Sequence, residues 1–151
     1  MKKDISQITT YESGVMQSTA HRVLTRIQSD FLSQYELTST QWFVIGYLYN
    51  AGPDGARLND LMNILDTTMP FITNTVNFLE SKNILSKSSS TDDSRVKIAR
   101  LNPSYESTVQ EIEQGLREEL RLRLYREDKI SREQLSTYID VLYKITQANK
   151  E

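Results

Sequence analysis

Residues Asp66 to Asn83 read DTTMPFITNTVNFLESKN, and the fold of the whole chain turns on this stretch. Thr67 or Thr68 can supply an N-cap oxygen, and Pro70 falls in the first turn, where its missing N–H costs nothing. Ile72, Val76 and Leu79 follow at spacings of four and three, the stripe of a helix with one buried face. The opposite face carries Thr73, Asn74, Asn77 and Ser81, with Met69 and Phe71 beside them. A helix that only closes a core normally turns charge to solvent. This one turns out amides and hydroxyls, which both donate and accept hydrogen bonds. Those groups can read base edges in a DNA major groove, where asparagine pairs bidentately with adenine. Taken alone, the pattern fits an ordinary surface helix at least as well as a groove reader, so the flanking sequence has to decide.

Upstream, residues 6–35 predict a long helix, with Val15, Thr19, Arg22, Val23, Ile27 and Phe31 at helical spacing. Glu36 to Thr40 is a break rich in N-cap candidates. Gln41 to Asn50 predicts a second helix, with Trp42, Ile45, Leu48 and Tyr49 on its apolar side, and Gly52-Pro53-Asp54-Gly55 stops it. Ala56-Arg57-Leu58 reads as a connector, and Asn59 as the cap of a short helix from Asp60 to Leu65. Two short helices joined by a tight turn at Asp66-Thr67 make a helix-turn-helix pattern. Downstream the apolar period drops to about two. Ile84 to Ser88 reads as a strand and Arg95 to Leu101 as its partner, with Val96, Ile98 and Arg100 on one face. Ser89 to Ser94 is a polar tip between them. A β-hairpin directly after a helix-turn-helix is a wing, so the fold class is mainly α with a small β-wing, the lobe spanning 37–101.

The ends of the chain are helical too. Asn102-Pro103-Ser104 starts a helix from Tyr105 to about Asp128, striped by Val109, Ile112, Leu116, Leu120 and Leu124. Ser131 with Gln134 resembles a capping box and opens a last helix striped by Leu135, Ile139, Leu142 and Ile145. Residues 1–36 and 102–151 therefore offer more apolar surface than the middle can cover. The economical solution is a two-fold homodimer in which helices from both ends interlock, with 1–151 as a single domain.

Composition narrows the function. The chain has no cysteine and one histidine, which excludes disulfides, thiolate chemistry and a multi-histidine metal site; no cofactor is expected. At 38% apolar residues no window can span a membrane, and the N-terminus has no apolar run behind its lysines, so a cytoplasmic protein is expected. The net charge of −2 does not advertise nucleic acid. Its distribution says more. Residues 57–101 hold six basic and five acidic groups, while 1–56 hold four and five, and 102–151 hold eight and ten. Only the middle segment is positive, and only by one charge, so non-specific attraction to phosphates should be weak and easily screened. No nucleophile motif, Gly-rich phosphate loop or acidic pair suggests an enzyme.

The run Asp93-Ser94-Arg95, five further residues and Leu101-Asn102 resembles the wing signature of the multiple-antibiotic-resistance-regulator (MarR) family of bacterial transcription factors, with Asn102 in place of a threonine. Leu37-Thr38 with Gln41-Trp42 is similar to the family's second-helix entry, Pro70-Phe71-Ile72-Thr73 through Leu79-Glu80 to its recognition helix, and Asn83-Ile84-Leu85 stands for the usual glycine-led exit. The resemblance runs through nearly the whole chain. It implies a winged helix-turn-helix lobe on a helical dimerisation base, and a homodimer bound to a pseudo-palindromic operator in double-stranded DNA. It also implies a repressor released by a small aromatic or anionic effector.

The residues it points to for DNA are Thr68, Pro70, Phe71, Thr73, Asn74, Asn77, Lys82, Lys87, Asp93, Arg95 and Lys97. Arg95 would enter a narrow minor groove, held by Asp93. Arg57 and the lysines would anchor phosphates. For the effector it points to Tyr11, His21, Arg22, Trp42 and Tyr49, which are equally readable as core and solvated side chains. Arginines common in the family are replaced here by Asn74, Phe78 and Ser94. The alternative reading is therefore a winged-helix protein-interaction adaptor that has lost strong DNA binding.

Overall fold

The computed structural model describes residues 3–148 and 150. The chain forms two compact units: Gln28–Gln114, and the chain up to Ile27 together with the chain from Gly115 onward. Two helices run through both, α1 (Thr10–Leu32) and α5 (Glu106–Arg123).

The unit Gln28–Gln114 holds most of the buried side chains. After α1 the chain makes a 3-10 turn, Ser33–Tyr35, and closes it with Glu36 at φ 57. The Glu36 N–H bonds Ser33 O and the Leu37 N–H bonds Leu32 O, which satisfies the last carbonyls and buries Leu32 and Leu37. The helix expected over 6–35 is thus shorter at both ends. It starts at Thr10 because Thr9 and Glu12 cap each other's backbone N–H groups.

Next, α2 (Ser39–Ala51) opens on a capping box between Thr38 and Gln41 and buries Trp42, Val44, Ile45 and Leu48. It ends in a 3-10 turn, Gly52–Asp54. Ala56–Arg57, expected as a connector, is a strand, β1. It leads straight into α3 (Leu58–Ile64), so the extended Arg57 occupies the N-cap position without a side-chain bond, and Asn59 lies inside the helix rather than capping it. Asp66, at φ 48, closes α3: the Thr67 N–H reaches Met62 O and the Asp66 N–H reaches Asn63 O.

Helix α4 (Met69–Ser81) follows, then the strands β2 (Leu85–Ser89) and β3 (Lys97–Leu101). The sheet is antiparallel in the order β1-β3-β2, pairing Ala56 with Ala99 and Lys87 with Ala99 from either side. The face of β3 that turns inward is the one carrying Ala99, fully buried, rather than the one carrying Ile98 and Arg100. Gly55 comes so close to the Ala99 backbone that a Cβ there would collide with the Ala99 carbonyl oxygen.

In the other unit only Ile27 and Leu116 are buried among the described residues. Its last helix, α6 (Arg132–Ala148), opens on the expected reciprocal bonds between Ser131 and Gln134. None of its described residues is buried, and Tyr138, Ile139, Val141, Leu142, Tyr143 and Ile145 all face solvent. The helix expected to run to Asp128 stops at Arg123. A turn follows in which Arg126 pairs bidentately with Asp128 and the Ile130 N–H returns to Arg126 O. The first stretch of α1 and the residues around this turn line an apolar groove of about 770 Å³, with Val15, Val23, Leu24, Leu124, Leu135 and Tyr138 on its walls.

Candidate nucleic-acid interface

The recognition-type helix is α4, and its buried side seats it firmly. Ile72, Val76 and Leu79 are fully buried, and Thr75 joins them by donating its hydroxyl to Phe71 O at 2.9 Å. Thr68 is the N-cap, accepting from the Phe71 N–H at 3.4 Å, with Pro70 in the first turn. At the other end Asn83 takes φ 59; its N–H bonds Glu80 O and the Ile84 N–H bonds Leu79 O. Asparagine is among the few non-glycine residues that adopt this conformation readily. Asn102 then ties the exit to β3, donating Nδ2 to Asn83 O at 2.7 Å and its own N–H to Ile84 O. The asparagine that replaces the wing signature's threonine is therefore a clasp between the end of the wing and the end of α4.

What remains exposed on α4 is the face expected to read bases. Pro70, Asn74 and Asn77 lie along its crest. Phe71 and Phe78 flank it at 45% and 41% exposure, so neither is packed away. Lys82 sits over the Phe78 ring at 5.7 Å, placing a cation at the C-terminal end of the helix, where the dipole favours it. Thr73, half-buried, faces the wing across a cleft of about 380 Å³ that it lines with Arg57, Lys87, Arg95 and Lys97. The cleft gathers four of the segment's six basic residues, with Arg95 paired to Asp93.

At the wing tip Asp93 holds Arg95 through its side chain and its backbone. Its carboxylate accepts from Arg95 Nε and Nη2, each at 3.1 Å, and from the Arg95 backbone N–H at 3.0 Å. The hydrogen bonds from the Arg95 side chain and backbone hold this carboxyl below the ordinary carboxylate range. Arg95 itself projects, with 89% of its side chain exposed. The fork is thus pre-oriented without being hidden. The other wing cations also have partners: Lys97 Nζ donates to Ser89 Oγ at 2.8 Å and Arg100 Nη1 to Ser88 Oγ at 2.7 Å. Lys87 is bound through its backbone to Glu80 and through its ammonium to Asn77. Nothing in the spacing of the sequence indicated that Glu80, a helix residue with an ordinary solvated look, would brace a strand.

The structure brings Thr68, Pro70, Phe71, Thr73, Asn74, Asn77, Lys82, Lys87, Asp93, Arg95 and Lys97 into α4 and the wing of one unit. The candidate effector residues are divided between the two units, Tyr11, His21 and Arg22 in one and Trp42 and Tyr49 in the other. Tyr11, His21 and Arg22 are exposed on α1, and Tyr11 stands ten residues from His21, roughly 15 Å along the helix axis. Trp42, at 8% exposure, belongs to the core of the winged unit. Tyr49 accepts a hydrogen bond from Gln110 Nε2 at 3.0 Å. Among the described residues no group of three or more His, Asp or Glu side chains is placed to hold a metal ion. No helix among them is long and apolar enough to cross a membrane.

The architecture has close counterparts. S. aureus MepR in its DNA-binding conformation superposes with a TM-score of 0.72 at 25% identity, over 93% of this chain and 98% of that one. MepR in complex with DNA gives 0.74 at 23% identity, over 94% and 99%. A MarR-family regulator from Rhodococcus sp. RHA1 gives 0.81 at 13% identity, over 93% and 96%, and AbsC of Streptomyces coelicolor, also of the MarR family, 0.77 at 18%, over 95% and 97%. The MarR-type winged-helix fold expected from the wing signature is therefore the fold observed. Against curated proteins the sequence shows no match. The family model of the transcriptional regulators SarA/Rot matches residues 26–112, more than half of the chain and the whole of the winged lobe. The chain belongs to the SarA/Rot family of transcriptional regulators, built on the fold it shares with MarR-type proteins.

Proposed function

We propose that this regulator binds double-stranded DNA as a homodimer, placing α4 in the major groove and Arg95 in the adjacent minor groove of each half of a pseudo-palindromic operator. The observation that carries the reading is Arg95: an exposed guanidinium, oriented by Asp93, at the tip of a hairpin that follows an amide-faced helix. MepR, similar over almost the whole chain, has been captured with DNA on this fold. The solvent-facing apolar stripe of α6 supports the second copy, because a row of exposed Ile, Val, Leu and Tyr on one helix is a surface that another chain covers. Residues 37–101 are the DNA-binding lobe in this reading and the two ends of the chain the dimerisation base. A DNA partner sets the protein in the cytoplasm, and no catalytic step is assigned to it.

Control of the operator is proposed as repression, relieved by a small aromatic or anionic effector. His21 and Arg22, exposed on α1, are the side chains that would meet its charge. Trp42, the single tryptophan and deep in the core, would report the event by its fluorescence rather than touch the ligand.

Selection of bound fragments from a random duplex library tests the proposal. Enrichment of an inverted repeat with half-sites about one helical turn apart is expected, and its absence would sink the DNA reading. The exposed Phe71 and Phe78 favour a second reading, an adaptor that docks a protein partner on α4. Asn74→Ala combined with Arg95→Ala separates the two: a regulator loses its operator, whereas an adaptor keeps its partner.

A further inference from the structure

Helix α4 is tied to the wing by two hydrogen bonds that phosphate anchoring does not require. The Lys87 backbone N–H donates to Glu80 Oε2 at 2.7 Å, and Lys87 Nζ donates to Asn77 Oδ1. Asn77 and Glu80 are neighbours on the helix surface, three residues apart, so β2 is held to α4 through both the backbone and the side chain of one residue. The register keeps Lys87 in place from behind, since it pairs with the fully buried Ala99.

The consequence concerns Asn77. An ammonium group is a donor only. Asn77 must therefore turn its carbonyl oxygen toward β2, and turning the amide over would set its NH₂ against the lysine. An asparagine free to choose its orientation matches adenine, giving a hydrogen to N7 and taking one from N6. An asparagine whose carbonyl is turned toward the wing keeps a second lone pair there, but it is the NH₂ that it presents to the groove. Adenine N7 accepts as well but stands beside the N6 donor, which an NH₂ cannot satisfy, whereas guanine N7 and O6 and thymine O4 present acceptors with no donor at the same edge of the base.

We propose that Lys87 is a positioning residue that holds the Asn77 carbonyl toward the wing and its NH₂ toward the groove, so that the base facing Asn77 is guanine or thymine in preference to adenine. This rests on the DNA-binding reading above. It gives Lys87 a role in specificity in place of the phosphate contact that its charge alone suggests.

The test is selection from a random duplex library with the full chain and its Asn77→Ala, Lys87→Met and Lys87→Arg variants, each first matched to the parent in thermal melting. Asn77→Ala identifies the position, as the one in each half-site where preference disappears. There the parent should enrich guanine or thymine. Lys87→Met, which frees the amide to turn, should shift the ratio toward adenine by about tenfold, the lower end of base-edge discrimination. Lys87→Arg, again a donor-only group, should keep the parental preference. Adenine in the parental site, or no position altered by Asn77→Ala, would overturn the proposal. So would a Lys87→Met variant that loses affinity equally for all sequences and flattens the salt dependence, the signature of a phosphate anchor. If the parent enriches no sequence at all, the DNA-binding reading itself fails and this one falls with it, whereas each of the other adverse results leaves DNA binding standing.

Discussion

In the proposed interface Arg95 and Asp93 form a contact that the fold itself hardly needs. Their pair is exposed, so it contributes little to folding, and salt screens it. Its value lies in orientation. Arg95→Ala is therefore expected to weaken operator binding roughly ten- to a hundredfold while leaving the melting temperature unchanged, as anisotropy titrations and calorimetry would show. Asp93→Ala should cost less, because the guanidinium survives but loses its brace. The depressed Asp93 carboxyl sets a pH expectation as well. A carboxylate stabilised in the folded state keeps its contribution above its unfolded value and loses it only as pH falls through the lower, folded value. The wing brace should thus be indifferent to pH from about 8 to about 5 and fail only below the ordinary carboxylate value of 3.8, as a carboxyl-carbon NMR titration of Asp93 would reveal.

Helix ends and turns decide how the elements meet. Glu36, Asp66 and Asn83 each close a helix in the left-handed conformation without a glycine, and the Asn83 turn delivers the chain into the wing at a fixed angle, clasped by Asn102. Gly55 is different. Its φ is +71, and a Cβ there would collide with the backbone oxygen of Ala99 where β1 crosses β3. Gly55→Ala should destabilise the protein by more than about 1 kcal/mol in urea unfolding, since backbone strain and steric overlap act together. The wing should suffer first, because β1 is the strand that pins the outer side of β3. A Gly55→Ala variant of unaltered stability would contradict the close packing seen here.

For the molecule as a whole, charge is scarce where DNA would lie. The winged segment carries six basic against five acidic groups, and the Arg95 guanidinium at the wing tip is already paired with the Asp93 carboxylate. Operator binding should therefore show a shallow salt dependence. A slope of log K against log salt that implied on the order of ten released counterions would contradict it. The dimer makes the complementary prediction. Leu142→Glu, on the exposed stripe of α6, should leave the helix content intact, shift sedimentation from dimer to monomer, and reduce operator affinity by far more than any single base contact, because the two lobes would no longer bind as one unit.

Much of this was legible in order along the chain. The stripe of Ile72, Val76 and Leu79, the Thr68 cap, the change of period after Asn83 and the Asp93–Arg95 signature located α4 and the wing, because each is set by local periodicity or by side chains a few residues apart. The two-residue strand β1 was not legible, since it has no pattern of its own and exists only because β3 lies beside it. Nor was the inward face of β3, where Ala99 is fully buried while Ile98 and Arg100 are only half-buried. The brace from Glu80 and the grip of Lys87 on Asn77 were hidden for the same reason: they join residues seven and ten apart across a turn whose geometry had first to be known. Sequence alone specified which groups α4 turns to solvent. Only tertiary packing decided which way one of them, the Asn77 amide, is turned, because a side chain's orientation is chosen by the partners that folding brings to it.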